Sequence, residues 1–158
     1  MSQAGVRRIK RSLYIDQSSV HFMSEAEQSK LKEFLLLDQY LDHKSTELVE
    51  FNQKLSNTSL CNQRRLTNIG TFRAYVELYL NQHPNISKHQ SLIVRQLQPT
   101  EKGLPLEIYA FSNQIAWKDY EAIQSDIFDH LIAILPEFGL KIYQAPSGYD
   151  MQIAMSNP

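Results

Sequence analysis

The amino-acid sequence predicts an α+β fold: a four-stranded antiparallel sheet with helices on one face, plus an inserted long helix or helical hairpin. Three observations carry this expectation. Apolar residues alternate at period two near the N-terminus and again between Leu106 and Phe111. Three other stretches repeat at the three- and four-residue steps of a helix. Polar, Gly- and Pro-bearing clusters separate these stretches as turns.

The first strand-like stretch runs from Val6 to about Met23. Ile9, Leu13 and Ile15 fall on one face, and Arg8, Lys10, Ser12 and Tyr14 on the other, the pattern of a half-buried strand. Val20 and Phe22 resume it after the polar turn 16–19. The cations Arg7, Arg8, Lys10 and Arg11 have two readings. One is a phosphate-binding cluster; the other is an edge strand whose charges deter strand-to-strand aggregation. The second is favoured, because no further basic stripe follows.

A helix is expected from Ser24, which forms a capping box with Glu27 three residues on. Phe34, Leu37, Leu41, Leu48, Phe51 and Leu55 then recur at helical steps, with Lys44 as the one polar seam position. The stretch 24–55 is one long arm or two helices broken near Ser45 and Thr46. Its seam packs against a neighbouring subunit or folds back within the chain. Ser56 to Ser59 end it as a breaker cluster.

Thr67, Asn68 and Thr71 are each suited to cap the next helix. Its stripe is Phe72, Val76, Tyr79 and Leu80, and it stops by His83 because Pro84 follows. Leu92 to Leu97 and Leu106 to Phe111 form an antiparallel hairpin around a loop holding Pro99, Gly103 and Pro105. A last helix spans about Ala116 to Phe138, with Tyr120, Ile123, Ile127, Leu131, Ile134 and Phe138 inward and Gly139 as its left-handed stop. Leu140 to Gln144 is expected as a short closing strand, and the chain from Ala145 onward as a frayed tail. Strand, helical section, hairpin, helix, strand is the ferredoxin-like split βαβ order.

Composition narrows the function. Hydrophobic residues make up 42% and charged residues 21% of the chain, too apolar for a disordered segment. Lys+Arg number 16 against 17 Asp+Glu, so the formal charge is −1 and no global field favours nucleic acid. The longest apolar runs, 34–37 and 131–135, fall far short of the ~20 residues a bilayer span needs. Arg7 and Arg8 follow the first residues with no apolar stretch behind them, so no secretory signal is expected. The single Cys61 allows no internal disulfide and suits a reducing compartment. These features predict a soluble, cytoplasmic, non-enzymatic chain with no cofactor.

No catalytic constellation stands out. The glycines are scattered singly, and neither a nucleophile elbow nor a paired-histidine zinc motif occurs. Asp126 and His130, four apart with Asp129 nearby, have metal-ligand spacing but fit a solvated helix face better. His83 and His89 flank Pro84 without a carboxylate in register, and Cys61 beside Arg64 and Arg65 lacks a histidine partner. Tyr109 and Phe111 echo the base-stacking aromatics of RNA-recognition motifs. Leu104, Pro105 and Leu106 stand where that motif needs an aromatic and a small residue, and Glu107 shares the aromatic face.

Several longer blocks resemble a known family. Arg7-Arg8-Ile9-Lys10-Arg11-Ser12, Arg65-Leu66-Thr67-Asn68-Ile69-Gly70-Thr71-Phe72-Arg73 and Val94-Arg95-Gln96-Leu97-Gln98-Pro99-Thr100 are similar to the cytoplasmic region of small-conductance mechanosensitive (MscS) channels. So are Gly103-Leu104-Pro105-Leu106-Glu107-Ile108-Tyr109 and Asp126-Ile127-Phe128-Asp129-His130. The similarity spans about Val6 to Asp150, and is nearest to the YbdG-type miniconductance branch.

The resemblance implies a bacterial inner-membrane homo-oligomer, a heptamer, that opens under tension and releases solutes on hypo-osmotic shock. It implies a vestibule domain on the cytoplasmic side, whose partners are further copies and the channel's own transmembrane domain, with no nucleic acid. Residues 1–23 then correspond to the end of the β-domain and the first strand, 24–60 to an inserted helical arm, 61–150 to the ferredoxin-like vestibule domain, and 151–158 to a tail. Subunit or membrane-proximal contacts are expected at Arg7, Arg8, Lys10, Arg11, Phe34, Leu41 and Leu48. Transmembrane helices, gate residues and the C-terminal barrel of some members have no counterpart here, so this chain is not expected to conduct ions itself. The alternative is a stand-alone ferredoxin-like regulatory or RNA-binding module.

Overall fold

A computed structural model describes residues 5–156. The ends of the expected N-terminal and tail segments, 1–4 and 157–158, lie outside the described residues. Strand β1 (Arg7–Ile15) follows the expected alternation: Ile9, Leu13 and Ile15 are buried, while Arg8, Lys10 and Tyr14 are exposed. It pairs antiparallel with β3 (Leu104–Ser112), which pairs on its other side with β2 (Ile93–Gln96). The order β1-β3-β2 puts the first and second strands parallel to each other across β3. Mixed α+β architecture is therefore observed, with one antiparallel sheet.

That sheet has three strands among the described residues, a correction to the expected four. The segment 140–144 touches the sheet through one antiparallel bridge, Ile15 to Ile142, and the bond from Tyr143 N–H to the Tyr14 carbonyl at 2.8 Å. Gly103 occupies the same end with φ +96°, and a Cβ there would sit 2.8 Å from the Ile15 carbonyl oxygen and 2.9 Å from Cβ of Tyr143. The left-handed turn tucks the loop in beside this short contact.

Helices α1 (Glu25–Leu31) and α2 (Leu35–Gln53) form the arm. The capping box is present: Oγ of Ser24 accepts from Glu27 N–H at 3.2 Å, and Glu27 Oε1 accepts from Ser24 N–H at 3.1 Å. The break lies at 32–34, not near Ser45 and Thr46. Thr46 keeps its hydroxyl bonded to the Asp42 carbonyl at 3.1 Å inside an unbroken helix. Phe34 instead turns extended as the N-cap of α2, and its ring packs 5.8 Å from both Tyr75 and Phe138. Leu31, Leu37 and Leu41 join the same core as the strands, so the arm folds back on the domain.

Helix α3 (Asn68–Gln82) is capped by Thr67, whose hydroxyl accepts from Gly70 N–H at 3.1 Å. Phe72, Val76 and Leu80 are fully buried. Helix α4 (Trp117–Ile134) buries Ile123, Ile127, Phe128 and Leu131, then tightens into a 3₁₀ turn over Leu135–Phe138 where Pro136 enters. Gly139 stops it at φ +68°. The last segment also departs from expectation: Gly148–Ser156 forms a helix, α5, with Tyr149, Met151, Ile153 and Met155 exposed.

Candidate interaction surfaces

Helices α3 and α4 cover the sheet face that carries Ile9, Leu13, Val94 and Ile108. The strand register places the opposite set together: Arg8 faces Phe111, Lys10 faces Tyr109, and Ile93 flanks Tyr109 from β2. Tyr109 and Phe111 are half-buried and meet edge to face at 5.5 Å. Tyr14 and Ile93 are exposed by 43% and 47%, which leaves this face open to a partner. Glu107 is buried on it and held by Arg95, whose Nε and Nη2 lie 3.1 and 3.0 Å from Oε1. Its charge is thus matched by an arginine that remains largely exposed. Sequence reading took Glu107 as a charge on the aromatic face and missed this pairing, although Arg95 faces it directly in the register.

The four expected β1 cations divide by strand parity. Arg7 and Arg11 share the helical face and lie over aromatic rings, Arg7 4.3 Å from the Tyr120 centroid and Arg11 4.2 Å from that of Phe128. Such contacts are worth about 0.5–1 kcal/mol at exposed sites. Tyr120 also donates its hydroxyl to the Arg8 carbonyl, tying the strand edge to α4. The Arg8 and Lys10 side chains are exposed on the open face and enter no ion pair among the described residues. Of the arm seam, Leu41 is 4% exposed, Phe34 is held by Tyr75 and Phe138, and Leu48 is half-buried against the core. The structure therefore brings the basic strand to a surface and places most of the seam inside.

Histidine chemistry is absorbed by packing. His130 Nε2 lies 2.7 Å from the Tyr75 hydroxyl, and its ring stacks on Tyr79 at 4.4 Å. Burial holds the His130 imidazole below its ordinary pKa. His83 is lowered too, first by burial and then by Lys88. No group of three or more His, Cys, Asp or Glu among the described residues is placed to hold a metal. Cys61 is exposed, with its sulfur 3.3 Å from the Ser59 hydroxyl. One open concavity of about 590 Å³ is lined by Tyr14, Glu101, Lys102 and Tyr143, which include no nucleophile paired with a base.

A junction that the sequence did not announce ties the chain's distant parts together. Asn68 is fully buried: its amide donates to the Ser19 and Phe138 carbonyls at 2.9 and 3.0 Å, and its oxygen accepts from His21 N–H at 3.0 Å. His21 Nε2 in turn meets Glu27 at 2.7 Å. Asn68 had been a capping candidate; its polarity is used for tertiary bonds instead.

No helix among the described residues is long and apolar enough to cross a membrane. Residues 75–142 match a family model described as mechanosensitive ion channel MscS, C-terminal. The matched stretch runs from within α3 through the β2–β3 hairpin and α4 to the closing bridge. It is a channel-domain family rather than an enzyme family. Strand β1 and the arm lie outside the match.

Proposed function

We propose that this chain is the cytoplasmic vestibule part of a tension-gated channel that protects against hypo-osmotic shock. The observation that carries the reading is the match over 75–142, which takes in the second half of α3, the hairpin and α4. The pore belongs to membrane-spanning segments outside the given residues, in the inner membrane of a bacterium. The parent is a homo-oligomer, a heptamer, of the YbdG-type miniconductance branch, with residues 24–60 as its distinguishing arm and 61–150 as the vestibule unit. Its fold reads as ferredoxin-like, with the fourth strand shortened to the Ile15–Ile142 bridge. The domain acts on gating without chemistry. It shifts the closed–open balance only through contacts that differ between the two states.

The test is survival of downshock. Cells stripped of their own mechanosensitive channels and given the parent coding region should survive an abrupt drop in osmolarity better than vector controls. Membrane-located expression with no gain in survival would count against the reading.

The second reading, an RNA-binding module, is favoured by Tyr109 and Phe111 standing beside Lys10 and Arg8 on the open face. It requires salt-sensitive RNA binding that is lost on replacing both aromatics with alanine. Absence of binding at low salt removes it.

A further inference from the structure

We propose that the concavity at the end of the open sheet face binds a small zwitterionic solute carrying a quaternary ammonium and a carboxylate. Its walls are two tyrosines set by the backbone. Tyr143 N–H donates to the Tyr14 carbonyl at 2.8 Å beside the Ile15–Ile142 bridge, so Tyr14 and Tyr143 stand directly opposite one another. Ile15 and Ile142 turn toward the core, and the period-two geometry of a strand sends Tyr14 and Tyr143 together to the other face. Gly103 closes against the base of Tyr143, where a Cβ would lie 2.9 Å from the tyrosine Cβ and 3.3 Å from its Cγ. Tyr14 stays exposed, and neither ring packs on another aromatic ring among the described residues. The rings of Phe22, Phe51, Tyr120 and Phe128 each carry an arginine over one face; those of Tyr14 and Tyr143 carry none.

The charges come from a tight turn. Thr100 and Gly103 exchange both backbone hydrogen bonds, at 2.9 and 3.1 Å, and the Thr100 hydroxyl oxygen accepts from Lys102 N–H at 3.0 Å. These bonds fix the backbone of Glu101 and Lys102 at the tip, and both residues line the concavity of about 590 Å³ with the tyrosines. Neither enters an ion pair among the described residues. One carboxylate and one ammonium leave the lining without net charge, which matches a zwitterion better than a phosphate or a simple cation. Aromatic faces attract a cation through the ring quadrupole, and quaternary ammonium is the cation that aromatic cages take. It has no N–H to satisfy. A primary ammonium brings three donors, and Glu101 is the one carboxylate in the lining. The cationic end therefore sits against the rings near Glu101, and Lys102 takes the carboxylate end. The volume suits a small-ligand site.

This assignment goes beyond the channel reading and does not rest on it. Trimethylglycine titrated into the isotope-labelled chain should shift the amide signals of Tyr14, Gly103 and Tyr143 along a saturating curve. Tetramethylammonium, acetate and unmethylated glycine should each bind more weakly, and sucrose at matched osmolality should leave those signals in place. Tyr14→Leu should weaken trimethylglycine binding about two- to fivefold, the size of a cation–π contact at an exposed site. Lys102→Met should bring trimethylglycine down to the affinity of tetramethylammonium, because the carboxylate then has no partner. Glu101→Gln and Lys102→Met alter an exposed turn tip and leave the core untouched, so a folding failure of the tyrosine variant does not rescue the proposal. Shifts that rise linearly without saturating, or that sucrose reproduces, overturn it. So does a Lys102→Met chain that still prefers trimethylglycine to tetramethylammonium as strongly as the wild type. Binding is read on the chain alone, so this proposal and the downshock reading fail separately.

Discussion

The Tyr75 hydroxyl meets Nε2 of His130 at 2.7 Å, joining α3 to α4 beneath the stacked ring of Tyr79. Tyr75 is 5% exposed, so each partner would leave the other poorly satisfied if removed. Tyr75→Phe should lower stability by about 1 kcal/mol at neutral pH, read as a drop in Tm. The pH response has a definite sign. Burial holds folded His130 below 6.5, so the unfolded chain binds the proton first as pH falls. Stability is full above pH 6.5 and is lost as pH falls toward the folded value. His130→Phe should therefore flatten the loss of Tm between about pH 7.5 and about pH 5.5. An unchanged slope would remove His130 from the account.

His21 titrates the opposite way. Its hydrogen bond to Glu27, and then that to the Ser19 carbonyl, hold it above 6.5 when folded. Its contribution is complete below 6.5 and disappears as pH rises through the raised value. Both side chains are about two-fifths exposed, so solvent keeps the energy small. Titration by NMR should show His21 raised in the wild type and returned toward 6.5 in Glu27→Gln.

Asn68→Ala removes the side chain that bridges the Ser19, His21 and Phe138 backbones at this junction. The loss should reach about 2–3 kcal/mol, since buried backbone groups are left unpaired. Urea denaturation measures it, and Asn68→Asp should be no better, because two carbonyls would then face a carboxylate.

Leu41 and Leu35 separate internal packing from surface contact on one helix. Leu41→Ala should cost about 2–5 kcal/mol at every protein concentration, as a buried residue does. Leu35→Ala should leave the monomer's stability within about 0.5 kcal/mol. A Leu41→Ala effect that vanishes on dilution would place that residue in an interface instead.

The strands and caps were legible because their signals are local. The alternation of Ile9, Leu13 and Ile15, the Ser24–Glu27 box, and the Gly139 stop each follow from neighbours a few residues away. The arm's break was misplaced because it is decided at long range: Phe34 bends the chain to reach Tyr75 and Phe138. The fourth strand failed for a related reason. Period-two pattern at 140–144 marks which side chains turn inward, but the ladder there has only the Ile15–Ile142 bridge to extend. Among the candidate contact residues, sequence separated charge from apolar seam. The expected contacts grouped Arg7 and Arg11, laid over rings of α4, with Arg8 and Lys10, which point the other way, although strand parity alone divides them.

The most direct test of the channel account is electrical. This chain, fused behind the membrane portion of a mechanosensitive channel, should give stepwise currents in excised patches under rising suction. A fusion that reaches the membrane, assembles there and stays silent up to patch rupture would contradict it.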